Sequence, residues 1–379
     1  MTRGRNIFEE VGAGQTPVPD PAGGLIDSDA PGARRAIRLW LAALFALVVL
    51  MIVVGGLTRL TDSGLSITEW RPVTGALPPL SDADWQAEFE KYQAIPEFQL
   101  QNTRMTLEEF RPIFWWEWGH RQLGRFIGLV WAAGFLFFWL SGKAPAGWTR
   151  RLLVLGVLGG LQGVAGWWMV RSGLSGRAVD VASYRLAIHL GLAFVILGLI
   201  TWYMLLLSRS GPDLLRARRA REARLFSAAT GLMHFAFLQI LLGALVAGID
   251  AGRGYIDWPL MAGQVIPDGM LSLTPIWSNL FENPATVQFL HRVAGYLLIL
   301  FAFIVWRKSR TSANRTTRAA FAVAVAMLFL QALLGIVTVV HAAPLSLAIL
   351  HQGGAIAAFV LIIRARFAAQ YPAPQHIRG

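Results

Sequence analysis

Eight long apolar runs, parted by polar segments, constrain this chain more than any other feature. A bilayer core needs about 20 mostly apolar residues per helix. Such runs fall at 37–59, 113–140, 149–170, 184–207, 225–247, 285–306, 317–340 and 345–364. In lipid every backbone polar group must be satisfied within the segment, so the runs predict an all-α integral membrane fold of eight transmembrane helices. The second run is the weakest, because Glu117, His120, Arg121 and Arg125 occupy its first turns. It is accepted because Phe126 to Leu140 is apolar throughout. The first run exceeds a signal-peptide core and no small-residue cleavage site follows it, so it is read as a retained helix. Charged residues make up only 15% of the chain, against about 25% in soluble domains. The chain has no cysteine. That excludes disulfides, iron–sulfur clusters and thiolate zinc, and leaves His, Asp, Glu or Met for metal chemistry.

A net charge of +12 would suit nucleic acid, but its placement argues for topology instead. Basic residues gather at 141–151 (Lys143, Arg150, Arg151), at 208–224 (six arginines) and at 307–318 (Arg307, Lys308, Arg310, Arg315, Arg318). By the positive-inside rule these segments and both termini are cytoplasmic, and the membrane is a bacterial inner membrane. The segment 171–185 dissents, with Arg171, Arg177 and Arg185 on the outside. No nucleic-acid partner is expected. Residues 1–36 read as a cytoplasmic tail rich in Gly, Pro and Asp, and 365–379 as a second tail. The outer segment 60–112 is too polar for lipid and too long for a turn, so it is expected to form a cap with short helices. Segment 248–284 does the same later in the chain.

The chain repeats itself. Gly55, Asp62, Gly64, Glu69, Trp70, Gly75 and Pro79 match Gly243, Asp250, Gly252, Asp257, Trp258, Gly263 and Pro267 at a constant offset of 188. Three further pairs keep the same order: His120-Arg121-x-x-Gly124 with His291-Arg292-x-x-Gly295, Leu161-Gln162 with Leu330-Gln331, and His189-x-Gly191 with His351-x-Gly353. Two four-helix bundles follow, 37–207 and 225–364, joined by a linker at 208–224. An even number of spans gives both halves one orientation, related by a pseudo-twofold axis along the membrane normal.

Ionisable residues within a membrane span are functional candidates by default. His120, His189, His291 and His351 lie on the second and fourth helix of each half, about five to seven residues after the predicted helix starts. All four should therefore share one depth near the periplasmic face. Diagonal helices of a bundle can present two imidazoles to a flat apolar haem. The alternative for each is a histidine bonded across helices. Zinc or copper fits one histidine per helix poorly. Arg121 and Arg292 could pair with haem propionates or reach the headgroups. His234 and His341 fall outside the pattern, with His234 expected to bond a neighbouring helix. One turn before His120 stands Glu117; one turn before His291 stands Gln288. Glu117 is thus a candidate acid–base group beside one haem edge, or else a charge partner for Arg121 or Arg125.

Gly55–Pro72, GGLTRLTDSGLSITEWRP, and Phe114–Gly124, FWWEWGHRQLG, resemble the haem A synthase family, over nearly all of 37–364. The resemblance implies oxidation of the C8 methyl of haem O to a formyl group through alcohol intermediates. It implies haem b held by His291 and His351, substrate haem O held by His120 and His189, and Glu117 as the functional carboxylate. It also implies a haem O synthase upstream and an electron-transfer partner of unspecified identity; a homo-oligomer is compatible with it. Some members carry paired outer-loop cysteines. This chain has none, so a thiol step cannot apply, and it resembles the proteobacterial and mitochondrial branch. Two other classes fit less well: a di-haem b cytochrome passing electrons from quinol, and a parallel-repeat transporter.

Overall fold

A computed structural model describes residues 31–176 and 179–375. Among them, eight helices are long and apolar enough to cross a bilayer. They are α1 (Pro31–Leu60), α4 (Leu107–Leu140), α5 (Trp148–Val170), α6 (Ser183–Leu207), α8 (Ala223–Gly248), α10 (Pro284–Ser309), α11 (Arg315–Val340) and α12 (Leu345–Gln370). The short helices α2 (Asp82–Gln93) and α3 (Pro96–Leu100) build the cap. Helix α7 (Gly211–Arg219) lies in the linker, and α9 (Asn279–Glu282) lies in the second outer segment.

Every predicted span is present, and three boundaries move. Helix α1 begins at Pro31, inside the stretch read as a tail, and α12 runs on to Gln370. Helix α4 begins at Leu107, where Thr106 and Glu109 form a capping box. His120 is therefore more than three turns into its helix, whereas the other three histidines are roughly two turns in. The extra turns of α4 are not lipid-facing. Phe110 and Phe114 are buried against Trp85, Phe89 and Tyr92 of the cap. The rest of the tail reading, residues 1–30 and 376–379 with His376, lies outside the described residues.

In the first half α1 packs on α4 and α6, and α5 packs on the same two helices. In the second half α8 packs on α10 and α12, and α11 on the same two. Helices α4 and α6 thus face each other across one ring, and α10 and α12 across the other. Helices α1, α6, α8 and α12 form the seam between halves. There Phe194 meets Phe359 edge-on at 5.6 Å, and Gln352 Nε2 donates to Ile52 O at 2.7 Å. On the cap side, Asp62 and Asp250 end α1 and α8 with the same left-handed turn, φ 50° at both repeat-related positions. Asp tolerates this region better than most residues. Arg59 reaches both of them, at 2.9 and 3.0 Å, and comes within 3.7 Å of Asp180.

Candidate functional site

One large, mostly apolar cavity of about 1670 Å³ runs beneath the cap and the second outer segment. All four repeated histidines line it, with Glu117, Gln288, Arg121 and Arg292. Single-ligand pockets span about 300–1,000 Å³, so the space suits more than one bulky ligand. The imidazoles are half-buried, and the surface they leave open faces this cavity.

Each imidazole lies against a glycine on the preceding membrane helix. A Cβ at Gly55, Gly166, Gly243 or Gly335 would come within 2.9–3.1 Å of His120, His189, His291 and His351 respectively. A hydrogen at those positions lets each ring lie close against the neighbouring helix without having to shift. Three of the rings also meet a glutamine. Gln162 Nε2 donates to His189 O at 3.0 Å, Gln239 Nε2 to His291 O at 2.9 Å, and Gln331 Nε2 to His351 O at 2.7 Å. The same nitrogens lie 3.1–3.2 Å from the three Nδ1 atoms, and those of Gln162 and Gln239 also come within 3.3 and 3.5 Å of the ring Nε2. All three glutamine Oε1 atoms are buried without a partner.

Glu117 is 3% exposed and fully engaged. Its Oε2 accepts from Ser66 Oγ at 2.8 Å and from Ile67 N at 2.7 Å. Its Oε1 accepts from Arg121 Nη2 at 2.6 Å and Nε at 3.1 Å. The charge pair weighed from the sequence therefore exists, with Arg121 as the partner; Arg125 turns instead to the carbonyls of Arg71 and Pro72. Arg121 also donates to Ile67 O and Glu69 O. Arg292 repeats this on Tyr255 O and Asp257 O, 188 residues on. Both arginines thus staple an outer loop to the helix that carries a histidine. His234 and His341 are exposed and bond carbonyls of their own helices, Thr230 and Val337, so the expectation of a neighbouring-helix partner for His234 fails.

Several residues at or around the cavity escaped the sequence reading. Ser66 carries no motif of its own, and Gln239 has no glutamine at its repeat position. Glu97, on α3, is buried with Oε2 unpartnered. Burial, then the charges of Asp180 and Asp62, push its carboxyl up to about 8. Arg59 stands at the end of an apolar run, where nothing in the local sequence marks it as the bridge between Asp62 and Asp250.

These features define a polytopic membrane protein that presents two diagonal histidine pairs to one apolar cavity. The family profile of cytochrome oxidase assembly proteins matches residues 38–363. A haem A synthase of Ruegeria pomeroyi is 63% identical over the full length of both chains. That of Paracoccus denitrificans is 60% identical over 99% of this chain and 98% of its own, and one from Cereibacter sphaeroides 58% over the same shares. The chain belongs to the haem A synthase family.

Proposed function

We propose that this chain oxidises the C8 methyl of haem O to a formyl group through alcohol intermediates. His120 and His189 would hold haem O as substrate, and His291 and His351 would hold haem b. The observation that carries this is the single cavity bordered by two diagonal histidine pairs, in a chain that matches haem A synthases end to end. The residues fit the group. The glycine cradles let the imidazoles lie close against the neighbouring helices. With an imidazole Nε2 on iron, Nδ1 would carry a proton, and a turn of the neighbouring glutamine amide would bring its unpartnered Oε1 round to accept it in place of the bond to the histidine carbonyl. The apolar walls suit a porphyrin.

Haem b would supply one-electron redox chemistry beside the substrate. The chain's own residues position and move protons. Methyl oxidation releases protons, and Glu117 is the carboxylate beside the proposed substrate site. Four donors fill its acceptor positions, so it must release one to take a proton. Ser66 is the donor that can leave, because its Oγ also lies 3.1 Å from Ser63 O and 3.2 Å from Ile113 O. Rotation of that hydroxyl frees Oε2 while Arg121 keeps the carboxylate in place. Arg121 and Arg292, anchored on loop carbonyls at the cavity wall, would be the cationic partners for haem propionates. The cap side faces the periplasm, with the basic linker and both termini cytoplasmic. A haem O synthase supplies the substrate, and a redox partner completes the electron balance.

Pigment analysis of the purified protein tests the reading. Haem b together with haem O or haem A is expected; two haems b would make the chain an electron-transfer cytochrome. A reporter fused at Leu214 should be active only as a cytoplasmic one, and a periplasmic signal there would invert the orientation.

A further inference from the structure

The glutamines beside the histidines break the repeat at one point. Gln162 and Gln331 occupy matching places in the two halves, and each meets the histidine of its fourth membrane helix. Gln239 does the same for His291 from α8. The position 188 residues before Gln239 is Met51 on α1. The backbone keeps the correspondence. A Cβ on Gly295 would lie 3.2 Å from Gln239 Nε2, and one on Gly124, its repeat mate, 3.6 Å from Met51 Cε. The thioether thus fills the amide's place. A thioether donates no hydrogen bond and accepts only weakly. The His120 imidazole has no hydrogen-bond partner among the described residues, and His120 alone of the four lacks a side-chain amide on its own carbonyl.

We propose that Gln162, Gln239 and Gln331 are positioning residues that latch three axial imidazoles, and that Met51 leaves His120 as the releasable ligand of the substrate haem. This rests on the paired-histidine reading above. An outer-shell hydrogen bond fixes the orientation of a ligating imidazole and raises its basicity. Losing one typically costs about 10- to 100-fold in metal affinity. In the second half both ligands are latched, which suits a resident group. In the first half only His189 is, which suits a haem that must enter, react and leave. Release of His120 opens the iron face on the α4 side. That is also the helix of Glu117, so the open face and the proton acceptor share one side of the cavity.

Carbon monoxide reports an open ferrous iron face by absorption, without turnover. The protein is purified with its resident haem, loaded with haem O, reduced and titrated with carbon monoxide. In the wild type the added haem O should bind the gas and the resident haem should not. Met51→Gln should weaken that binding by about tenfold or more. Gln239→Met should make the resident haem reactive. Gln162→Met should lower retention of added haem O by about tenfold or more, with the resident haem unchanged. Unchanged gas affinity in Met51→Gln, together with an inert resident haem in Gln239→Met, overturns the latch while leaving the haem sites standing. If His120→Leu with His189→Leu leaves the spectrum of added haem O unaltered, the substrate site itself is wrong and the latch falls with it.

Discussion

Ile67 and Tyr255 occupy the same place in the two outer loops, and the helix below addresses them differently. In the first half Ile67 N donates to Glu117, while its carbonyl accepts from Arg121. In the second half Tyr255 O accepts from both Gln288 and Arg292, and Gln288 Oε1 is left buried and unpaired. One half therefore converges donors on a carboxylate that could take a proton. The other converges donors on a carbonyl that cannot. With Met51 opposed to Gln239, the two differences fall on the same pocket. Both halves keep the arginine staples and glycine cradles, while the groups that differ here, Glu117 with Gln288 and Met51 with Gln239, line the one cavity.

The largest effect should come from the second pair. His291→Leu or His351→Leu removes one of the two imidazoles proposed to hold the resident haem. The low-spin haem b spectrum of the purified protein should then be lost; a normal spectrum in both variants would mean the halves hold no resident haem in the way proposed. Next is Glu117→Gln, which makes the first pocket resemble the second. An acid–base group typically contributes about 10²- to 10⁴-fold in rate. Haem A extracted from cells should fall by that order, with haem O accumulating and haem b retained. Normal haem A yield would leave Glu117 as Arg121's partner and staple only.

The cap sharpens the comparison further, because no helix of the second outer segment carries a counterpart of Glu97 on α3. The folded carboxyl is raised to about 8 from 4.5. Its stabilisation is therefore fully present below 4.5 and is lost as pH rises through about 8. The charges to be held apart are Asp180, Asp62 and Glu117. Amide protection in α2 and α3, taken relative to the intrinsic exchange rate at each pH, should fall by an order of magnitude or more between pH 5 and about 8. Glu97→Gln should flatten that dependence, and an unchanged profile would show that another group controls the cap. The smallest effects distinguish how the two outer segments are pinned. Asn283 caps α10 through Ala285 N and Thr286 N and also bonds Gly269 O and Asn279 Oδ1. Asn283→Ala should cost about 2–3 kcal/mol, since a cap and buried bonds are lost together. Ser81→Ala breaks the exposed capping box of α2 and should cost about 1 kcal/mol. Chemical denaturation in detergent compares the two, and equal losses would remove the distinction.

The eight spans, the repeat, the four histidines and the Glu117–Gln288 difference were all legible in the sequence. Apolar run length and the spacing of residues along one helix are local properties, and a bilayer leaves few ways to satisfy them. The start of α4 was misjudged for the same reason: its first turns are polar because they pack under the cap, and hydropathy sees only lipid. Which side chain meets which across helices was decided by the tertiary structure alone. The Gln239–His291 pair is 52 residues apart, and Arg59 meets Asp250 across 191. No periodicity links such residues. Their encounter depends on how far each helix is rotated and shifted against its neighbour, and that is settled when the helices pack. The sequence placed a methionine and a glutamine 188 residues apart as one unmatched pair among many. Only the packed bundle puts the glutamine against an imidazole and the methionine at the matching place on α1, where a thioether has no hydrogen bond to donate.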